Sequence, residues 1–363
     1  MTNTRAGPVG IGMVGAGFVG QLAHLESFVS VENCKVVGLA ELRPELGRRV
    51  AEKYGIPNVY HDHHELLKDP AVDAVVVVTR RAATGPIVLE ALNAGKHVLS
   101  EKPMAHTVEQ AERLVSAASQ SGKRYAVGFM KRHDAGVQQA KSVLDHLRQT
   151  RDWGSVVGAR SHCFGGDAGR PADGFILTSE PRPEGLALWP VAPDWMPPDM
   201  VDRYAQFLNV YTHILNILRY LLGPMPRVVA AHFPNPDEDE YVAQMDFGGF
   251  ETTLELAESK TEGWHEGIDV EFEGGRLNMR FPPPLKPGAV AEMSVDGVLG
   301  LDLPTAIPGG FRWAFQRQAE AFVTDIIEDR TPLADAADAI NDLRLAEAIW
   351  QSCLAGATTD KSR

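Results

Sequence analysis

The sequence predicts two α/β arrangements in succession: a doubly wound parallel sheet over residues 1–128 and an α+β domain with a mostly antiparallel open sheet over 129–363. Three observations carry this. Short, continuously apolar runs alternate with helical periodicity as far as Gly128. Beyond Phe129, β-like stretches follow one another, several joined by Gly-containing turns. A chain of 363 residues exceeds one average domain and can bury two cores.

The first set of strands is expected at 9–14, 35–40, 72–79, 96–100 and 125–129. Runs such as Val75-Val76-Val77-Val78 do not alternate, which is what strands covered by helices on both faces require. A helix follows to about Arg148, and further strands are expected at 156–163, 227–233, 241–247, 251–257 and 267–277. The segment 165–198 is rich in Gly and Pro, and a loop that long inside a compact domain is usually functional. Amphipathic helices at 313–327 and 334–355 are expected to pack back against one of the sheets.

Composition narrows the function classes. Hydrophobic residues at 44% and charged residues at 23% are ordinary globular values and exclude a disordered or fibrous chain. A net charge of -13 with no Lys/Arg-rich run speaks against nucleic acid and against anionic membrane surfaces. The three cysteines are scattered, without a CxxC pair, and read as reduced thiols. Met1 to Gly7 carry no basic stretch followed by an apolar signal core, and no segment reaches the roughly 20 apolar residues of a membrane span, so the expected address is cytoplasmic.

Gly15-Ala16-Gly17-Phe18-Val19-Gly20 stands directly after the first strand and opens a helix. Glycines there permit a tight turn, let the backbone approach a pyrophosphate, and allow close helix packing, while the helix N-terminus supplies N–H groups. Glu41 closes the second strand, where a carboxylate accepts from ribose hydroxyls. This is a Rossmann dinucleotide fingerprint. Glu41 favours NAD; Arg43, two residues on, is placed to accommodate the 2′-phosphate of NADP, so both cofactors stay open.

The fourth predicted strand runs into Ser100-Glu101-Lys102-Pro103. With the glycine turn, this Glu-Lys-Pro end resembles the Gfo/Idh/MocA family of sugar and cyclitol oxidoreductases. The resemblance implies that Lys102 touches the nicotinamide ribose and the reacting hydroxyl, that Glu101 belongs to the same cofactor site, and that the Lys102-Pro103 bond is cis. An ammonium there donates to a developing alkoxide. Asn209, His213, Asn216 and Tyr220 fall at i, i+4, i+7 and i+11, one polar stripe on a largely apolar helix ending at Gly223-Pro224. The family pattern on this helix is Asp-x-x-x-His, which implies His213 as general acid/base. Asn209 stands where Asp is usual, while Asn209 and Asn216 are read as positioning substrate or imidazole. Arg132 matches a position that is often Arg in the family and is read as lining the cleft.

A second departure follows the Val75–Val78 run, where the family carries Thr-Pro-Asn and then a histidine. This chain has Thr79-Arg80-Arg81 and Thr84. At the C-terminal edge of a parallel sheet, Thr79 and Arg80 face the cofactor crevice and Arg81 is a candidate for an anionic substrate group; a solvated loop charge fits Arg80 and Arg81 equally. Trp189 and Trp195 offer flat faces to a sugar's C–H surface or to a subunit contact. His61-Asp62-His63-His64 is read as a helix start capped by Asp62, and no metal site is expected.

The expectation is an NAD(P)-dependent oxidoreductase acting on a sugar, sugar acid or cyclitol, a small carbohydrate substrate, and a homo-oligomer, dimer or tetramer, formed through the open sheet as the resemblance implies. The same residues admit two other readings: an eliminating or glycoside-cleaving enzyme that recycles its cofactor, motivated by Asn209 and Arg80-Arg81, and a non-catalytic sugar sensor, against which the retention of Lys102 and His213 counts.

Overall fold

The structure is a computed structural model and describes residues 7–171, 173–181, 183–223, 225–235, 238–260, 263–297 and 312–360. Met1 to Ala6 and Pro224 lie outside the described residues. The chain forms two compact units, one made of residues 1–130, 172–201 and 315–340, the other of 131–171, 202–314 and 341–363. Each unit thus draws on three segments, where the sequence suggests a single boundary at 128/129.

The first unit contains a six-stranded sheet in the order β3-β2-β1-β4-β5-β6. Its strands are β1 (Val9–Val14), β2 (Cys34–Ala40), β3 (Asn58–Tyr60), β4 (Ala74–Val77), β5 (His97–Ser100) and β6 (Tyr125–Val127), and every pairing among them is parallel. All residues of β1 and β4 are buried, as their unbroken apolar runs require. The helices of this unit follow from local signals. A π-helical segment, Gly20–Leu25, leads into α1 (Glu26–Phe28). In α2 (Pro44–Tyr54) proline starts the helix and Gly55, at φ 66, ends it. Asp62 caps α3 (His63–Lys68) by accepting from the Glu65 N–H at 3.0 Å, as read from the sequence. After α4 (Arg81–Asn93), Thr107 caps α5 (Val108–Ser121).

The second unit holds α6 (Ala135–Thr150), β7 (Val156–Gly165), α7 (Val201–Leu222), β8 (Arg227–His232), β9 (Glu240–Asp246), β10 (Glu251–Glu258), β11 (His265–Phe272), β12 (Gly275–Arg280) and β13 (Glu292–Gly297). These strands form a seven-stranded sheet in the order β13-β12-β11-β7-β10-β9-β8, antiparallel except for β10 against β7. The sequence reads 267–277 as one strand; it is a hairpin, because Glu273 and Gly274 turn the chain between β11 and β12. β3 and β13 carry no sequence signal, being short or largely exposed. An aromatic core of Tyr204, Phe207, Tyr241 and Trp350 packs α7 against the sheet and against α9 (Ala336–Asp360), with ring centroids 4.9 to 5.9 Å apart. In the first unit, Ala319, Phe322 and Val323 of α8 (Ala314–Ile327) join the core beneath β1 and β2. No helix among the described residues is long and apolar enough to cross a membrane.

Candidate functional site

At the C-terminal edge of the parallel sheet, a cavity of about 430 Å³ is lined by Gly15, Gly17, Phe18, Val19, Gly20, Glu41, Arg43, Thr79 and Arg80, all expected at the cofactor, together with Pro183 and Leu186 of the long loop; Glu101 and Lys102, also expected there, are not in this lining. The glycines divide the work physically. Gly15 sits at φ +94, and a Cβ there would lie 2.3 Å from the Val78 carbonyl oxygen, so only glycine makes this turn. A Cβ on Gly17 would meet nothing within 4 Å, which leaves open space where a pyrophosphate approaches. Glu41 is buried and accepts from the Ala16 N–H at 2.8 Å, tying the end of β2 to the glycine turn. The Arg43 guanidinium closes on the same carboxylate, Nε to Oε1 at 2.8 Å and Nη2 to Oε2 at 3.0 Å.

The Glu-Lys-Pro segment leaves β5 with the Lys102-Pro103 peptide in the cis form that the resemblance implies. Glu101 and His24 form a pair, Oε1 to Nε2 at 2.7 Å, and Glu101 Oε2 accepts from the Lys102 N–H at 3.2 Å. Burial alone would raise the Glu101 carboxyl; the His24 hydrogen bond and charge, with the neighbouring Lys102, outweigh it and hold Glu101 below the usual carboxylate range. His24, on the π-helical segment, carries no mark in the sequence, since a lone histidine inside an apolar helical run gives no signal. Three residues past Pro103 lies His106, which burial, reinforced by the Arg81 charge, lowers from 6.5 to about 4. Arg80 and Arg81 are both exposed.

The long loop lies over this unit as a strap. Gln21 Nε2 donates to the Ile176 carbonyl at 3.1 Å and its Oε1 accepts from the Ile176 N–H at 2.7 Å, while Phe175 meets Phe18 edge-on at 4.9 Å. Trp189 is committed to α4: a Cβ on Gly85 would lie 2.3 Å from its ring, and the Arg113 guanidinium covers it at 4.7 Å. Trp195 remains partly exposed.

In the second unit, His213 is buried on α7, and Asn209 Nδ2 donates to Gln206 Oε1 at 3.3 Å one turn earlier. Asn216 is fully buried and both ends of its amide are taken: Oδ1 accepts from Arg132 Nε at 2.7 Å and Nδ2 donates to Asp342 Oδ2 at 2.7 Å. Arg219 Nη1 completes the network on Asp342 Oδ1 at 2.6 Å. Asn216 and Arg132, expected to meet substrate, are engaged in this network because a buried Asp342 needs donors. Among the described residues one group of potential metal ligands converges, His63, His64 and Glu90, with both imidazole Nε2 atoms at hydrogen-bond distance from Glu90 Oε2, 2.8 and 3.1 Å.

The glycine turn, Glu41 and the cavity at the sheet edge define a Rossmann unit built to bind a nicotinamide dinucleotide. Residues 9–129 match the family model GFO_IDH_MocA, described as an oxidoreductase family with an NAD-binding Rossmann fold. Over 143 residues it is 34% identical to an inositol 2-dehydrogenase of Salmonella typhimurium, covering 39% of this chain and 41% of that protein. An inositol 2-dehydrogenase/D-chiro-inositol 3-dehydrogenase of Shouchella clausii is 39% identical over 141 residues, 38% of this chain and 40% of its own length. The matched stretch thus spans less than half the length of these curated relatives. Across both units, the fold is similar to that of the aldose-aldose oxidoreductase of Caulobacter crescentus solved with glycerol, with a TM-score of 0.74, 22% identity, and coverage of 96% of this chain and 98% of that one.

Proposed function

We propose that the protein transfers hydride between a nicotinamide dinucleotide and a carbinol carbon of a sugar, sugar acid or cyclitol. The observation that carries this reading is the presence, on the same edge of one parallel sheet, of the glycine-turn cavity after β1 and of Glu101-Lys102 after β5, with only β4 between the two strands. When bound, the nicotinamide supplies or accepts the hydride. Lys102 holds the reacting hydroxyl by donating to its oxygen, which stabilises developing negative charge. In the second unit His213 acts as general acid/base, and the Arg132–Asn216–Asp342 network fixes its helix. The cyclitol relatives support the substrate class, and the Glu41 carboxylate supports NAD as the working cofactor. We also infer a homo-oligomer, consistent with the exposed Val157, Val229 and Val295 on the open sheet.

The test is Lys102→Met. NADH binding, read by fluorescence, should survive, while turnover on the best of a panel of cyclitols and sugars falls on the order of 10²- to 10⁴-fold. Undiminished turnover overturns the assignment.

A second reading is favoured by Asn209 in place of the family's Asp: the cofactor stays bound and is reduced and reoxidised in each cycle. It requires product formation without net change in nicotinamide absorbance, and stoichiometric NADH release excludes it for the substrate used.

A further inference from the structure

The strap carries a carboxylate to the end of the cavity where the adenosine ribose would lie. Glu180 accepts from the first free N–H groups of α2, Glu45 N at 3.0 Å to Oε1 and Leu46 N at 2.8 Å to Oε2. Thr178 Oγ1 donates to Glu180 Oε2 at 3.0 Å and accepts from the Glu180 N–H at 3.1 Å, so the carboxylate is held by its own turn as well. Burial works against its ionisation, but the two N–H donors, Thr178 and nearby Arg43 outweigh it and keep the carboxyl below its usual range. Pro183 and Leu186, three and six residues on, line the cavity itself.

This is the place that discriminates NAD from NADP. In a Rossmann unit the residue closing the second strand meets the ribose hydroxyls, and a nearby cation receives a 2′-phosphate. Here that cation, Arg43, is taken by Glu41 through two hydrogen bonds, and Glu180 is a second carboxylate beside it. The helix N-terminus that would help to bind a phosphate is already filled by an anion from the protein's own chain.

We propose that Glu180 is a specificity-determining residue that selects NAD over NADP by occupying the α2 N-terminus against the 2′-phosphate. The proposal rests on the dinucleotide reading above and names a residue of the strap, outside the fingerprint, as part of that choice. One arginine faces two carboxylates, so a 2′-phosphate meets net negative charge and donors already satisfied. Glu180→Gln keeps the shape and removes the charge; Glu180→Ala frees the helix end.

The experiment is equilibrium titration of the wild type and both variants with NADH and with NADPH, followed by fluorescence, with circular dichroism and melting to confirm folding. The wild type should prefer NADH. In both variants the NADPH-to-NADH affinity ratio should rise by about tenfold, since one unit charge within a few ångströms is removed. An unchanged ratio overturns the proposal. Equal weakening of both nucleotides also overturns it, and would reduce Glu180 to an anchor of the strap. If the wild type binds neither nucleotide, the dinucleotide reading itself fails; NADH binding without a ratio change leaves that reading intact and removes only the role of Glu180.

Discussion

The backbone N–H of Trp189 donates to the carbonyl of Ala82 at 2.8 Å, and that carbonyl is the acceptor which the helix itself leaves unused. Four residues on stands Pro86, inside α4, with no N–H to return to Ala82. Gly85, next to it, has no side chain and admits the Trp189 ring. The Gly85-Pro86 pair is thus a docking notch: the proline exposes a backbone acceptor and the glycine makes room for the ring that comes with the donor. Gln110 Nε2 secures the following residue through the Pro190 carbonyl at 2.9 Å.

Filling the notch should release the strap. Gly85→Leu places carbon where the indole lies, so Trp189 must leave, and Pro183 and Leu186 lose their anchor. Limited proteolysis between residues 174 and 190 should accelerate and NADH affinity should fall about three- to tenfold, as cavity walls are lost to solvent. Unchanged protease resistance would refute the notch.

The first two glycines of the turn should separate folding from binding. Gly15→Ala forces an L side chain to φ +94 against the Val78 carbonyl and should destabilise the protein by about 1–3 kcal/mol. Gly17→Ala meets no atom of the protein, so its melting temperature should stay within about a degree of wild type. Its NADH affinity should nevertheless drop on the order of tenfold or more, because the added methyl stands where the pyrophosphate approaches. Melting curves and NADH titrations on the same samples check both halves.

What the sequence made legible was whatever local periodicity and spacing encode. The strand at 9–14, the glycine turn, Glu41 and the stripe carrying His213 needed only neighbours in sequence, and they lie where the pattern put them. What remained hidden depends on partners far along the chain. Asn216 reads as a cleft residue until Asp342, 126 positions away, claims its amide. The seat of Trp189 on Gly85 has no local signature, and Glu180, 134 residues from Leu46, gives no signal at all. The hairpin at β11 and β12 reads as one strand because both arms and their turn share one polar and apolar texture.

Acid should weaken the first unit through His106. The folded protein holds this imidazole neutral, with its pKa lowered from 6.5 to about 4 by burial and by Arg81. On acidification the unfolded chain takes up a proton near 6.5 while the folded one does so only near 4, so stability is fully present above 6.5 and is lost as pH falls through that window. The full effect is on the order of 3 kcal/mol. In His106→Gln, which cannot titrate, denaturant midpoints measured across the window should lose this slope; an identical slope would assign the acid sensitivity to other groups.

Asp342 should be the most sensitive single position of the second unit. Its carboxylate is fully buried and receives Arg219 and Asn216 directly, while Arg132 reaches it through Asn216. Both arginines are buried as well, so removing the carboxylate takes away an anion that both face in a dry interior. Breaking a buried pair in this way costs about 3–5 kcal/mol, several times the worth of an exposed one. Asp342→Ala should therefore lower the melting transition of this unit by on the order of 10 °C. Asp342→Asn keeps the shape and one acceptor, and should retain part of the stability. If the network also holds the register of α7 beneath His213, the Asn variant should show reduced kcat with KM and NADH affinity near wild type. A loss confined to stability would assign the network to folding alone.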